Sequence, residues 1–254
     1  MQDPHPHLLD ELAANAWPAE VVQNVDGWHL RFNGGVTQRA NSVWPTECQG
    51  EFALEERIAM VEDFYTRRGM RARYQISPAS QPGELDAMLE QRGYARVSDT
   101  RVQTASILPV QVPRPYRFNV TVGTLIDAWM DTYAQAANMG AHERAMRRGI
   151  VSRIGPRSGF ALARLGNLDG QPVAVGLGVA ERGWTGIFCM DTLPSFRRQG
   201  AATAILQALS EWGASCGAAR MYLQVMADNA PAVALYARAG FTTLYSYHYR
   251  EAQG

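Results

Sequence analysis

Residues 184–226 read WTGIFCMDTLPSFRRQGAATAILQALSEWGASCGAARMYLQVM. The first part, WTGIFCMDTL, reads as a strand and ends at Pro194. After Gly200 the period changes. Ile205, Leu209, Trp212 and Cys216 recur at helical spacing, and Leu206 and Ala208 widen the apolar face. MYLQVM is a short apolar run between turn signals, as a strand buried on both faces requires. Strand, helix and strand in this order predict an α/β sheet.

The pattern continues on both sides. Downstream, APAVALYARAGF reads as a helix with Asn229 as N-cap, Pro231 in its first turn and Gly240 supplying the left-handed residue that ends it. The closing stretch TLYSYHYR alternates, so that Tyr245, Tyr247 and Tyr249 share one face and Ser246 and His248 the other. Upstream, helical stretches near Val122–Ala137 and Ala141–Arg153 precede two strands, GFALARLG and PVAVGLGVA. The turn between them is LDGQ, whose Asp169-Gly170 is a preferred hairpin pair.

A second copy of the unit is legible nearer the amino terminus. A strand-like run from Gln38 to Trp44 ends at Pro45; the helical stretch LEERIAMVEDFYTRRG, the strand RARYQIS and the helix ELDAMLEQRGY follow, closed by Gly93. Pro45 to Gln75 is 30 positions, and so is Pro194 to Gln224; the closing glycines lie 18 and 16 positions further on. Agreement of several elements in order reads as an internal repeat. A helix at His7–Asn15 and the strand GWHLRF precede this first copy. The junction ILPVQVPRPYR holds three prolines in eleven residues and reads as an extended linker. The expected organisation is a partial half at 1–110, a linker at 111–117 and a complete domain at 118–254.

Composition narrows the chemistry. The chain has 254 residues, 46% hydrophobic and 19% charged, which suits a folded protein and not a disordered one. No apolar run approaches the ~20 residues that cross a bilayer, and the amino-terminal stretch lacks the pattern of a signal peptide. The expectation is a cytoplasmic protein with no membrane partner. Net charge is zero, so no whole-protein field draws in nucleic acid. All 24 basic residues are arginine, which excludes a Schiff-base lysine and a phosphate-loop lysine. Cys48, Cys189 and Cys216 are far apart, and the histidines show no metal spacing; no metal is expected.

The segment Pro194–Thr203, PSFRRQGAAT, carries the chemistry. It lies between a strand and a helix, where unpaired backbone N–H groups and the helix dipole favour an anion. Gly200 lets the backbone curve around phosphate oxygens, Ala201 and Ala202 keep the approach open, and Arg197 and Arg198 add charge. The segment is not a Walker loop, because Gly200 is followed by Ala-Ala. Gly176-Leu-Gly178 is no dinucleotide fingerprint either, since it lies inside a strand and Glu181 takes the third glycine's place. The plain alternative is a solvated helix start with an ordinary turn glycine.

Arg197-x-x-Gly200-x-Ala202, with Asn229-Ala-Pro-Ala-Val-Ala-Leu-Tyr236-Ala-Arg-Ala-Gly240-Phe241 downstream, resembles the two hallmark motifs of the GCN5-related N-acetyltransferases (GNAT). The resemblance covers about residues 118–250. It implies a mixed central sheet with splayed strands flanked by helices, present twice, the first copy partial and degenerate. It also implies acetyl-CoA as co-substrate. The backbone of Met190, Asp191 and Thr192 would pair with the pantetheine arm, the amides from Arg198 through Gln199, Gly200, Ala201 and Ala202 to Thr203 would hold the pyrophosphate, Asn229 would contact the cofactor arm, and Tyr236 would stand near the thioester sulfur.

Two proton-handling roles follow from the chemistry. An alkylammonium with pKa near 10.4 is neutral in only about one part in 2,500 at pH 7, so a base or a water chain must remove its proton before attack. The departing thiolate gains from a donor, a role that fits Tyr236. Asp191 is the one carboxylate within the central strand and is the candidate base; an acidic turn residue, a glutamate elsewhere, ordered water and His248 stay open. In the first copy, Glu47, Glu51, Glu55 and Glu56 stand where the second presents arginines and would repel a pyrophosphate. That half is expected to cover the active half and shape its acceptor site.

The leading expectation is an acetyl-CoA-dependent N-acetyltransferase that moves an acetyl group directly to a primary amine of a small molecule, as a monomer or homodimer. The alternative is a non-catalytic acyl-CoA-binding or sensing module.

Overall fold

The helix expected after Gly200 runs Ala201–Ser215, and the strands that flank it run Trp184–Thr192 and Arg220–Met226. The structure is a computed structural model that describes residues 5–47, 50–107 and 117–253. In chain order its elements are α1 (Pro6–Ala16), β1 (Val21–Val25), β2 (Trp28–Phe32), β3 (Val43–Pro45), α2 (Leu54–Thr66), β4 (Arg73–Ile76), α3 (Leu85–Gln91) and β5 (Ala95–Ser106). Then come β6 (Phe118–Gly123), α4 (Asp127–Ala136), α5 (Ala141–Ser152), β7 (Arg157–Leu165), β8 (Pro172–Glu181) and β9 (Trp184–Thr192). A 3₁₀ turn (Pro194–Phe196), α6 (Ala201–Ser215), β10 (Arg220–Met226), α7 (Ala230–Arg238) and β11 (Thr242–Glu251) complete it.

The chain forms two compact units, and neither is one continuous stretch. The first comprises residues 1–101, 226–228 and 245–254; the second comprises 102–225 and 229–244. This departs from the contiguous halves 1–110 and 118–254 read from the sequence. The physical reason is the end of β11, which pairs antiparallel with β4, Tyr249 opposite Gln75 and Arg250 opposite Tyr74. Apart from Arg117, the expected linker at 111–117 lies outside the described residues.

Each unit is a mixed, open sheet flanked by helices. In the first, β1 and β2 pair antiparallel, β2 and β3 antiparallel, and β3 and β4 parallel. Trp28, Leu30, Val43, Tyr74 and Ile76 from these strands form a buried core with Ile58, Val61 and Phe64 of α2 and with Leu85 and Leu89 of α3. In the second unit the strand order is β5-β10-β9-β8-β7-β6, with β9 and β10 parallel and the β6-to-β9 meander antiparallel. The apolar stripe of α6 (Ala201, Ala204, Ile205, Leu209) packs with Ala161, Ala174, Ile187 and Leu223 of these strands.

Gly176 and Gly178 have a packing role, not a cofactor role. A Cβ at Gly178 would lie 2.9 Å from the Trp212 ring of α6, and one at Gly176 would overlap Ile205. Two missing side chains let helix and sheet approach closely. Trp129 of α4 also packs on this sheet, donating its Nε1–H to the Gly176 carbonyl at 3.1 Å and meeting Phe160 edge-on.

Two local expectations need correction. The strand expected at Gln38–Trp44 is only β3; the residues before it fold around Asn41, whose side chain bonds the Asn33 and Gly35 amides and the Val36 and Thr37 carbonyls. The helix expected from Val122 starts at Asp127, because residues up to Gly123 pair with β7 as β6. β1 and β5 carried no expectation.

Candidate active site

The parallel register of β9 and β10 ends at Ile187–Leu223, so Phe188–Thr192 and Gln224–Met226 run on without pairing to each other. A register shift between β8 and β9 accompanies this, with Cys189 in the left-handed region at φ +51°. Asp191 and Thr192 stay paired with Val175 and Ala174 on one side only. The other edge of their backbone faces the gap between the separating strands.

At the end of β9 the 3₁₀ turn leads into α6. Arg198 and Gly200 both have positive φ, +58° and +94°, and Gly200 is the N-cap. The first helical bond is from the Ala204 N–H to the Gly200 carbonyl, at 3.0 Å. The amides of Ala201, Ala202 and Thr203 therefore have no acceptor inside the helix and present the positive end of its dipole. Gln199 donates to the Ser195 carbonyl at 2.9 Å and braces the loop from within.

These features meet in one cavity of about 730 Å³. Met190, Asp191, Thr192, Arg197, Arg198, Gly200, Ala201, Ala202, Thr203 and Asn229 line it, as do Phe196, Pro231, Ala232, Leu235 and Arg238. Gln199 and Tyr236 are not in its wall. The four α7 residues carried no expectation, yet their spacing of one, four and seven from Pro231 marks a single helix face. Asn229 caps α7, its Oδ1 accepting from the Ala232 N–H at 3.2 Å. The Arg197 guanidinium turns away from the loop amides, its Nε donating to the Thr192 carbonyl at 3.1 Å and its Nη2 to the Ala136 carbonyl at 3.4 Å.

The electrostatics separate the two proton-handling candidates. Burial pushes the Asp191 carboxyl above the usual carboxylate range, partly opposed by the nearby charges of Arg197 and Arg147. Tyr236 is 7% exposed, packed edge-on against Phe241. Burial, and then the Asp191 charge, push its hydroxyl up to about 12. Both groups thus ionise less readily than usual, and the Asp191 charge acts on the Tyr236 hydroxyl. Arg147, which no motif flagged, donates to the Tyr133 hydroxyl at 2.6 Å and to Glu143 at 2.9 Å. His248 is 8% exposed, belongs to the first unit, and has its Nε2 2.9 Å from Asp86 Oδ1, beside Arg250. That bonding suits a satisfied structural histidine.

Residues 7–250 match the family described as probable histone acetyltransferase Rv0428c C-terminal. A relative from Bacillus subtilis (strain 168), named uncharacterized N-acetyltransferase YobR, is 30% identical over 251 residues, covering 95% of this chain and 96% of that protein. A solved GCN5-related N-acetyltransferase from Kribbella flavida superposes with a TM-score of 0.73 at 16% identity, covering 98% of this chain and 95% of the other. A tandem GNAT protein from the clavulanic acid biosynthesis pathway superposes at 0.62 and 13% identity, covering 79% and 70%. The chain belongs to the Rv0428c C-terminal acetyltransferase family, has the GNAT fold and is an N-acetyltransferase. No helix among the described residues is long and apolar enough to cross a membrane.

Proposed function

We propose that the chain uses acetyl-CoA as donor and transfers its acetyl group directly to a primary amine of a small molecule. The observation that carries this reading is the cavity where the unpaired edge of Met190–Thr192 meets the unbonded amides of Ala201–Thr203. An extended amide arm fits the first, and a pyrophosphate fits the second. When bound, acetyl-CoA supplies an acyl group activated as a thioester.

The residues divide the remaining work. Gly200 holds the loop open in a left-handed turn. Asp191, its carboxyl raised by burial, accepts the proton of the incoming ammonium. Tyr236 keeps its proton at neutral pH and offers it to the departing thiolate. The first unit is proposed as a degenerate copy of the same fold. Its support is the crossover β3–α2–β4, parallel like β9–α6–β10, with acidic residues Glu55 and Glu56 in the first turn of its helix where α6 has none.

The test is a thermal unfolding scan with and without acetyl-CoA. At 100 times its dissociation constant the ligand adds about 2.7 kcal/mol to the native state. Wild type shifts upward, and Gly200→Glu, which puts a side chain and a negative charge against the loop amides, does not. A normal shift in that variant rejects the assignment of the loop. Release of free CoA with a panel of small amines then tests the acceptor.

A further inference from the structure

One cation in the wall of the cavity serves neither the loop nor the proton-handling pair. Arg238, in the last turn of α7, is exposed and makes no hydrogen bond or ion pair among the described residues. It shares the lining face of the helix with Pro231 and Leu235. An apolar strip along α7 therefore ends at the cavity in an uncommitted guanidinium.

The three arginines that line the cavity are not equivalent. Arg197 is spent on the Thr192 and Ala136 carbonyls and turns away from the loop amides. Arg198 belongs to the loop itself, two positions before the Gly200 cap, and is exposed and likewise unpaired among the described residues. Arg238 comes from a different element. The wall thus offers two free cations on two separate supports, the first of them beside the unbonded amides of Ala201–Thr203.

CoA carries two separate anionic groups, the pyrophosphate and a phosphate monoester on the 3′ oxygen of its ribose. A phosphate monoester bears about two negative charges at pH 7. The loop amides and Arg198 suit the pyrophosphate, which leaves Arg238 as the free cation in the wall for the monoester. A planar guanidinium fork matches two phosphate oxygens at once. We propose that Arg238 binds the 3′-phosphate, so that the cavity distinguishes CoA from its 3′-dephospho form. This rests on acetyl-CoA being the donor.

The experiment is calorimetric titration of the full chain, without acceptor, with CoA and with 3′-dephospho-CoA. Wild type binds CoA about tenfold more tightly, and the preference shrinks as ionic strength rises because Arg238 is exposed. Arg238→Gln weakens CoA about tenfold and 3′-dephospho-CoA far less, so the two affinities converge. Arg198→Gln weakens both ligands by a similar factor and keeps the preference. Equal affinities in wild type overturn the assignment of Arg238 and leave the donor reading standing. A preference that survives in Arg238→Gln, or is lost only in Arg198→Gln, also overturns it. Failure of wild type to bind either ligand overturns the donor reading and this inference with it.

Discussion

Arg197 Nε lies 3.1 Å from the carbonyl oxygen of Thr192, so the first cation of the loop proposed to hold the pyrophosphate is a strut and not a finger. Its second bond, to the Ala136 carbonyl, reaches the end of α4. The guanidinium thereby ties the loop to the strand that carries Asp191, and its charge is the largest electrostatic pull lowering that carboxyl's pKa against burial. Loop geometry and the state of the candidate base are coupled through one side chain.

Replacing Arg197 with glutamine should therefore change two observables together. Asp191 loses a stabilising charge, its pKa rises further, and the acid limb of the kcat/KM profile moves to higher pH. The loop loses its tie, and KM for acetyl-CoA rises. A pH profile with an unmoved acid limb would show that Asp191 is not the group titrating there.

Tyr236→Phe should lower kcat by about 10²-fold, at the low end of the range for general acid–base catalysis. KM for acetyl-CoA changes little, because the ring remains and only the hydroxyl is lost. With its pKa pushed up to about 12, the wild-type hydroxyl gives no basic limb across the neutral range. Steady-state kinetics on purified variant and wild type decide the matter, and equal kcat values would reject the donor role.

Asp191→Asn should lose activity and gain stability. Folding raises this carboxyl's pKa, so its ionised form is penalised in the native state. The penalty is complete above the folded pKa and disappears below the unfolded value of about 3.9. The variant's melting point should exceed wild type at pH 7, with the advantage fading as pH falls toward 4. A variant less stable than wild type at pH 7 contradicts the assigned environment.

The second unit was largely legible because its elements announce themselves locally. β10 has the boundaries of its apolar run, Arg220–Met226, and α7 starts behind the cap and proline that predict it. β1 was invisible because four of its five residues are exposed, which leaves no burial pattern to read. β11 was readable as a strand, but not its partner, since pairing with β4 depends on residues some 170 positions away. The site divides the same way. The loop and the N-cap follow from short motifs, whereas Arg147 beside Tyr133 follows from tertiary packing. In WHLRF, Arg31 alternates as an outward-facing residue would; only the elements covering that face bury it.

Gly176→Ala tests the close approach of α6 to β8. The added methyl would overlap Ile205 and lie 2.8 Å from Met190 Sδ. Ile205 is fully buried, so relief requires α6 to move or Ile205 to leave its rotamer, at a cost of about 1–3 kcal/mol. Met190 lines the cavity, and its displacement should also weaken acetyl-CoA binding. Urea denaturation should show a lower midpoint with an unchanged slope, and adding Ile205→Ala, which removes the overlapped Cγ2, should cost less in the Gly176→Ala background than in wild type. Equal stability of Gly176→Ala and wild type would mean that the helix is not seated on the sheet at this glycine.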